Sequence, residues 1–387
     1  MRVERLQLTS FRTYDSLDVS FPAGPQVVVG DNATGKTNLL ESLVVLGTGR
    51  SHRASLDAEL IGWGADFCRL EATAAAEAGT QATDGDVQRK SLEVVIARTP
   101  AGGARKRVLV NGVGRRPASL SAAMPVVLFA PEDMLLISGS PAARRSTLDA
   151  LVMQTTPAAG ATLTNYARAI TQRNNLLRAI RDGAAAPDEL RFWDAVVIED
   201  GARIVDWRRS TLARLGRPLA EAHAEIAPAE DPLELRYLTN AEPAAGESTG
   251  DALARRLAET ADKEQWNGAT LIGPQRDDVG FVSAGRDLAA FASRGQQRTA
   301  ILAFKLAQLE VLRGVLEQAP LLLLDDVFSE LDPQRRAHLV RRIGELHQAF
   351  VTTTTTDDLD PALVAAATVW RVGPGRLDRL AAPADAR

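Results

Sequence analysis

The sequence contains few cysteine, histidine and aromatic residues, and it contains no long apolar run. Cys68 is the single cysteine, which excludes an intrachain disulfide and a cysteine-rich zinc site. Four histidines are scattered at spacings that do not suit metal ligation: His52, His223, His338 and His347. No stretch approaches the roughly 18 consecutive apolar residues that a membrane-spanning helix needs. The N-terminus alternates like a strand rather than like a signal peptide, so the cytoplasm is the expected location, with no membrane partner.

The sequence also lacks an excess of positive charge. Its net charge is −4, so any contact with nucleic acid must come from local basic clusters. Candidate clusters occur at 105–107, at 115–116, at 144–145 and at several arginines between 168 and 181. Arginine is abundant throughout, however, and solvated helix faces are an equally good explanation of most of them.

The secondary-structure pattern predicts an α/β fold in two parts. Short alternating strands fill the first 140 residues, with hairpin turns at Gly102-Gly103 and Asn111-Gly112. Ser140-Pro141 is a helix-start signature that opens a long helical, alanine-rich stretch. Strand character returns near Thr270. We therefore predict a discontinuous head, residues 1–140 and 268–387, interrupted by a helical arm, residues 141–267.

One glycine-rich loop fits the pattern G-x-x-x-x-G-K-[ST] and lies between an apolar strand and an apolar-periodic helix. It consists of Gly30, Asp31, Asn32, Ala33, Thr34, Gly35, Lys36 and Thr37. Backbone N–H groups of such a loop surround phosphates at the positive end of the following helix. Lys36 is expected to neutralise phosphate charge and the Thr37 hydroxyl to ligate Mg²⁺. The sequence therefore predicts an ATP site.

A second element is the apolar run 321–324, which ends in two carboxylates. Asp325 is the expected partner of Mg²⁺, and Asp326 the residue that orients or deprotonates the attacking water. The alternative interpretation is that the two carboxylates only cap the following helix.

A third element precedes a long amphipathic helix and consists of Ser293, Arg294, Gly295 and Gln296. A serine and a glycine at a helix N-terminus form a second anion site, although a simply capped helix has the same pattern. In ABC-type ATPases this signature precedes the carboxylate strand. Ser329 and Asp332 follow that strand where the same class has its dimer-contact loop.

Four further stretches make the resemblance more specific. They are SFRTYDSLDVSF from Ser10, PEDMLLISGSPAARRSTLDA from Pro131, TQRNNLL from Thr171 and TLIGPQRDDVGF from Thr270. With the three nucleotide motifs they span almost the whole chain. The chain resembles the RecF family of recombination-repair ATPases, which is related to the SMC proteins.

This resemblance implies an ABC-type ATPase head with a mixed sheet and an antiparallel β part, interrupted by a short helical insertion. It implies ATP and Mg²⁺ as cofactors and slow hydrolysis that acts as a switch. It also implies an ATP-dependent homodimer in which Ser293 and Gly295 contact the nucleotide of the other copy. The implied partners are single-stranded, gapped or junction DNA and a RecR-type mediator, in recombinase loading, replication-fork maintenance and the SOS response.

The sequence departs from the common motifs at several positions. Asp326 stands where many ABC ATPases have glutamate, and 352–356 is a threonine run where transporters have a histidine. Both features suggest slow hydrolysis. Gln275 and Ser146 replace a histidine and an arginine that are usual in their motifs, which leaves the role of those segments open.

Other interpretations are less well supported. Another SMC-like ATPase would carry a long heptad coil, and a nuclease relative would need a further domain for which we expect too few residues after Asp332. A small-molecule kinase would lack the Ser293 signature. Two assignments stay open: Glu132 or Asp133 as the nucleotide-sensing residue, and Arg12 with Tyr14 as adenine contacts or as an ordinary strand-end pair.

Overall fold

The computed structural model describes residues 1–76 and 88–380. Within these ranges the strands are β1 Arg2–Phe11, β2 Tyr14–Ser20, β3 Gly24–Val29, β4 Phe67–Ala76, β5 Gln88–Arg98, β6 Ala104–Val110, β7 Val113–Arg115, β8 Val126–Phe129, β9 Leu233–Leu238, β10 Asp278–Ser283, β11 Arg286–Asp287, β12 Leu321–Asp325, β13 Gln348–Thr353, β14 Thr368–Gly373 and β15 Arg376–Arg379.

The helices in the same ranges are α1 Lys36–Thr48, α2 Ala118–Ala123, α3 Leu135–Ser138, α4 Pro141–Thr155, α5 Ala159–Arg181, α6 Arg191–Ile226, α7 Thr249–Asn267, α8 Leu288–Phe291, α9 Arg294–Leu316, α10 Pro333–Gly344 and α11 Pro361–Ala366. None of them combines the length and the apolar character that a membrane crossing requires.

The chain divides into two compact units. The first comprises Met1–Asp133, Glu221–Glu230 and Arg298–Arg387, and the second comprises Met134–Ala220 and Asp231–Gln297. Residues 268–297 group with the helical residues because β10 pairs with β9 along its whole length. These limits differ from those of the predicted head and arm, whose boundaries stay a prediction.

The first unit contains two six-stranded sheets. One is antiparallel, in the order β2-β1-β4-β5-β6-β7, and the other, in the order β15-β14-β3-β13-β12-β8, is parallel except for the β14–β15 pair. Helix α1 packs against both sheets, and its residues Leu39, Leu40, Leu43 and Leu46 are fully buried in their common core. Because α1 is covered on two sides, it also buries the polar residues Glu41 and Ser42.

The parallel sheet determines where the nucleotide motifs meet. β13 pairs with β3 on one side and with β12 on the other, all three in the same direction. The carboxyl ends of β3 and β12 therefore lie at one edge of the sheet, one strand apart. β3 leads into the glycine-rich loop and β12 ends in Asp325.

The hairpin predictions of the first unit are confirmed. β5 and β6 are joined through the Gly102-Gly103 turn, and β6 and β7 through Asn111-Gly112. Asn111 and Gly112 have φ of 52° and 73°, the left-handed values that a type I′ turn requires.

The second unit contains α4, α5, α7, most of α6 and a three-stranded sheet in the order β11-β10-β9. Its apolar core is formed by residues such as Tyr166, Val197, Leu253 and Ile272. The predicted start of α4 is confirmed, with Ser140 at the N-cap and Pro141 in the first turn.

Several arginines of the predicted basic clusters are internal ion-pair partners in this unit. Arg173 is 3% exposed and binds Asp194 at 2.7 Å and Glu264 at 2.7 Å. Arg144 forms two hydrogen bonds with Asp278, at 2.7 Å and 2.8 Å, and Arg145 donates to the carbonyl of Asp277 at 2.7 Å. These donors stabilise the second unit, which favours a structural role for the three arginines; their contact with DNA stays a prediction.

Candidate nucleotide site

The glycine-rich loop turns sharply between β3 and α1. Ala33 and Gly35 both have positive φ, 65° and 113°, a conformation in which Gly35 carries no Cβ penalty. A Cβ at Gly35 would also lie 3.1 Å from both Thr13 Oγ1 and the Tyr14 hydroxyl. Thr34 Oγ1 donates to the carbonyl of Asp31 at 2.7 Å and closes the turn. The loop is thus held in the strand–loop–helix setting that phosphate binding requires.

Lys36 is the first residue of α1, and its side chain folds back over the loop. Its ammonium group donates to the carbonyls of Gly30 at 2.5 Å and Asp31 at 2.9 Å. Burial lowers the pKa of Lys36, while the nearby carboxylates of Asp326 and Asp325 act in the opposite direction. Lys36 and Asp325 are 289 positions apart in sequence (325 − 36), and the fold brings their charges into one site.

The end of β12 is held by a threonine of β13. Thr352 is fully buried, and its hydroxyl donates to Asp325 Oδ1 at 2.6 Å. The same hydroxyl accepts from the Asp326 N–H at 3.0 Å. Thr352 therefore orients the Asp325 carboxylate and the Asp326 backbone together. Sequence analysis had noted the threonine run only as a missing histidine, because nothing local connects it to β12.

Asp326 has a left-handed backbone, with φ of 52°. An aspartate in this region of φ is uncommon and costs free energy, which is typical of residues positioned for function. Its carbonyl accepts from Ser329 Oγ at 2.9 Å. Asp332 then caps α10, accepting from the Arg335 N–H at 3.0 Å. Ser329 and Asp332 thus shape the loop after β12, whatever else they contact.

Arg12 and Tyr14 are used inside the first unit. Arg12 forms two hydrogen bonds with the fully buried Glu41, at 2.9 Å and 2.8 Å. Burial acts to raise the pKa of Glu41, but hydrogen bonds from Arg12 and Ser51 outweigh it and lower the pKa overall. Tyr14 is fully buried, and its hydroxyl donates to the carbonyl of Gly35 at 3.1 Å. Since a buried ring cannot stack on a base, this geometry corresponds to the strand-end alternative and supports the loop from beneath.

Glu132 and Asp133 differ in their surroundings. Asp133 accepts from the Ala130 N–H at 2.8 Å and pairs with the largely buried Lys305 at 2.7 Å. Glu132 is exposed. Its charge is near His52, whose ring nitrogens are both buried and have no hydrogen-bond partner within residues 1–76 and 88–380. Of the two, Glu132 is the residue whose carboxylate is available to a ligand.

His52 is a site neighbour that sequence analysis missed, since a lone histidine gives no signal. Burial lowers its pKa, while the carboxylates of Glu41, Glu132 and Asp325 act to raise it. The lowered pKa keeps the ring mainly neutral near pH 7. A neutral imidazole beside Asp325 adds no cation to the site.

Ser293 and its neighbours form a capping box at the start of α9. The Gln296 N–H donates to Ser293 Oγ at 3.3 Å, and the Ser293 N–H donates to Gln296 Oε1 at 3.0 Å. Ser293, Arg294 and Gln296 are exposed. Ser293 therefore caps α9, as the alternative interpretation of this segment expected. The Ser293 hydroxyl proton still has no acceptor among the described residues.

The residues of the first unit also fit a magnesium ion. Among the described residues no group of three or more histidine, cysteine or carboxylate side chains is arranged to hold a metal. Mg²⁺ does not need one, because it is bound by one or two protein oxygens together with substrate phosphates and water. Asp325, 5% exposed at the strand end, and Thr37, next to Lys36, carry side-chain oxygens of the type that Mg²⁺ prefers.

Known proteins are similar to this chain over nearly its whole length. A family model described as the RecF/RecN/SMC N terminal domain matches residues 2–371. The DNA replication and repair protein RecF of Heliobacterium modesticaldum is 37% identical over 382 residues, which is 98% of this chain and 99% of the relative. The protein of the same name from Bacillus subtilis is 34% identical, over 97% of this chain and all of the relative. The chain belongs to the RecF family.

Solved structures extend the agreement to three dimensions. A structure described as the recombination mediator protein RecF-ATPrS in the RecFOR pathway has a TM-score of 0.87, 28% identity and 98% coverage of both chains. A SmcHead structure has a TM-score of 0.51 at 17% identity and 98% coverage of its chain, which shows the fold alone. The predicted family and the predicted ABC-type α/β fold are confirmed. This RecF-family chain is an ATPase of the SMC-head type.

Proposed function

We propose that this chain is a DNA replication and repair protein that works as an ATP-driven switch. One observation supports the proposal most directly. Lys36, on the glycine-rich loop, interacts electrostatically with Asp325 and Asp326 at the end of β12. A cation and two carboxylates at the N-terminus of a helix are the parts that a metal-bound triphosphate requires. The names of its relatives support the biological role in replication and repair.

In this proposal the loop from Gly30 to Thr37 binds the phosphates of ATP. Its backbone N–H groups and the N-terminus of α1 supply partial positive charge, and Lys36 supplies a full one. Mg²⁺, held by Thr37 and Asp325, would neutralise the remaining phosphate charge when bound. Thr352 keeps the Asp325 carboxylate in one orientation, so this ligand is positioned before the nucleotide arrives.

Asp326 would orient or deprotonate the attacking water. Its side chain is one methylene shorter than the glutamate that many ABC ATPases have at this position. A shorter reach and a strained backbone favour slow hydrolysis, which suits a switch better than a motor.

The signature segment Ser293 to Gln296 would complete the site of a second copy. Its capping box fixes the first turn of α9, and the Ser293 hydroxyl can donate to a phosphate oxygen. Two nucleotides would then lie between two copies in an isologous dimer, with Ser329 and Asp332 in the contact. Loss of the γ-phosphate removes the anion that both copies share, so hydrolysis favours separation.

DNA is the partner that fits this switch. We propose that the ATP-bound dimer binds single-stranded, gapped or junction DNA and that a RecR-type mediator joins it there for recombinase loading. Phosphate contacts would make the binding strongly dependent on salt.

Three variants test the proposal by sedimentation and by ATP turnover, each measured with and without gapped DNA. Lys36→Met should abolish ATP binding. Asp326→Asn should retain ATP and accumulate the dimer, because the phosphate-binding loop is intact and only the water-orienting carboxylate is lost. Ser293→Arg should bind ATP but remain monomeric. An unchanged mass of the wild type with ATP, or rapid turnover in Asp326→Asn, would contradict the mechanism.

A further inference from the structure

The sequence between Glu93 and Glu132 contains no acidic residue. These 38 positions, 94 to 131, include six cations in a chain whose net charge is −4: Arg98, Arg105, Lys106, Arg107, Arg115 and Arg116. Positive charge is therefore concentrated in the part of the chain that contains the end of β5, β6 and β7.

Two of these cations are used inside the protein. Lys106 donates to the carbonyl of Gly49 at 2.6 Å and pairs with Asp57 at 2.7 Å. Arg98 donates to the carbonyl of Ala65 at 3.1 Å. Their donors stabilise the sheet and are not available to a ligand.

The other four cations are exposed: Arg105, Arg107, Arg115 and Arg116. Their side chains have no carboxylate or hydrogen-bond partner within residues 1–76 and 88–380. By contrast, Arg144, Arg145 and Arg173 of the second unit are tied to acidic side chains or backbone carbonyls. Four unpaired arginines on one hairpin repel one another, and an anionic ligand would remove that cost.

Strand register divides these arginines between the two faces of the sheet. Arg105 and Arg107 lie two residues apart on β6, so their side chains share one face. Arg115 pairs with the buried Val108 from the neighbouring strand β7, so its side chain belongs to the opposite face. The outer face of the sheet therefore carries Arg105 and Arg107 as two neighbouring cations without partners among the described residues.

Exposed aromatic rings lie at the same end of the sheet. Phe67, at the start of β4, pairs with Ala97, and Ala97 pairs with Arg105 on the next strand, so all three stand in one row. Phe67 is 45% exposed, and Trp63, in the turn just before β4, is fully exposed. An exposed ring in one row with an exposed arginine suits a ligand that has both anionic and flat apolar parts.

We propose that the outer face at this end of the antiparallel sheet, defined by Trp63, Phe67, Arg105 and Arg107, binds a single strand of DNA. The arginines contact phosphates, and Trp63 and Phe67 stack on bases. A single strand is favoured over a duplex because duplex bases are already stacked on one another and offer no free face to a ring. The inference rests on the proposed function and names the surface that meets the DNA.

The first test compares two double variants that remove the same charge from the same sheet. Arg105→Gln/Arg107→Gln removes two arginines of the outer face that have no partner among the described residues. Arg5→Gln/Arg69→Gln removes two that are already paired, with Asp18 and with Glu71 and Glu93. On oligo-dT at several salt concentrations, the first variant should lower the slope of log affinity against log salt by about 1.4, from roughly 0.7 per phosphate contact on single strands. The second should leave the slope unchanged.

The second test compares two exposed tryptophans. Trp63→Ala should weaken oligo-dT binding about 5- to 150-fold, the range for one stacked base, and should leave binding to a blunt duplex unchanged. Trp266→Ala, which removes a ring that is 82% exposed in the second unit, should change neither. All variants alter exposed side chains, and thermal unfolding verifies that each is folded.

The outcomes separate the two proposals. If the wild type binds no DNA with or without ATP, the proposed function fails. If the wild type binds but the two double variants behave alike, the surface is wrong. Equal weakening of duplex and single strands by Trp63→Ala would refute the single-strand assignment. Loss of the ATP-driven dimer in Trp63→Ala without DNA would assign the surface to a second copy and overturn the inference.

Discussion

Replacing Thr352 by valine removes one hydroxyl group from the centre of the nucleotide site and keeps the shape of the side chain. That hydroxyl donates to Asp325 Oδ1 at 2.6 Å and accepts from the Asp326 N–H at 3.0 Å. A hydrogen bond to a charged group contributes about 1.5–3 kcal/mol and a neutral one about 0.5–1.5 kcal/mol. We expect Thr352→Val to lower the free energy of unfolding by about 2–4 kcal/mol, because the Asp325 carboxylate, 5% exposed, loses a hydrogen-bond donor and the Asp326 N–H loses the Thr352 hydroxyl as its acceptor.

The neighbouring threonine provides the matched control. Thr353 is equally buried, but its hydroxyl donates only to the carbonyl of Thr355, at 2.8 Å. Thr353→Val should therefore cost about 1 kcal/mol. In thermal unfolding of a unit of this size, Thr352→Val should lower Tm by roughly 4–16 °C, at about 2–4 °C per kcal/mol. The half-saturating Mg²⁺ concentration for ATP binding should rise about fivefold for each kcal/mol by which Asp325 is misoriented.

A double-mutant cycle isolates the contact. Combining Thr352→Val with Asp325→Asn should give a coupling free energy of about 1–2 kcal/mol, since the two groups share a charged hydrogen bond. The reasoning is refuted if the coupling is below about 0.5 kcal/mol, the level expected of independent sites, or if Thr352→Val is no more destabilising than Thr353→Val.

Two further predictions concern buried charge. Glu41→Ala should destabilise the protein by about 3 kcal/mol in urea unfolding, because it leaves Arg12 without its carboxylate partner, and a loss below about 1 kcal/mol would contradict this. Burial lowers the pKa of His52, His223 and His338 from 6.5 in the folded chain. The unfolded chain therefore binds more protons below about pH 6.5, so stability is full above that pH and is lost as the pH falls towards 5. Replacing all three by glutamine should flatten this part of the stability profile, and an unchanged slope would show that other groups cause it.

Local patterns predicted those parts of the molecule that depend on neighbouring residues. The turn at Asn111-Gly112 and the helix starts at Pro141 and Arg294 lie where the sequence placed them. Positive φ, N-caps and strand alternation depend on a few neighbouring residues, so the sequence predicts them without knowledge of the fold. The glycine-rich loop is predicted from the sequence for the same reason.

Residues with the same local appearance were separated only by the tertiary structure. Arg144 and Arg107 each belong to a short basic cluster, yet Arg144 is bound to Asp278, 134 positions away, and Arg107 is exposed and unpaired among the described residues. Tyr14 was an open candidate for a base contact, and it is fully buried beneath Gly35. The local sequence around these side chains does not indicate which distant residue each of them contacts.

The sequence by itself determined that this protein has a phosphate-binding loop, a carboxylate strand and a capped signature helix, and their order was enough to indicate the family. Tertiary structure decided that Lys36 and Asp325 share one site and that Thr352 holds the carboxylate in place. The reason is the parallel pairing of β3, β13 and β12, which brings strands far apart in sequence to one sheet edge. Such pairing is governed by burial and hydrogen bonding across the whole core, which no short stretch of residues encodes.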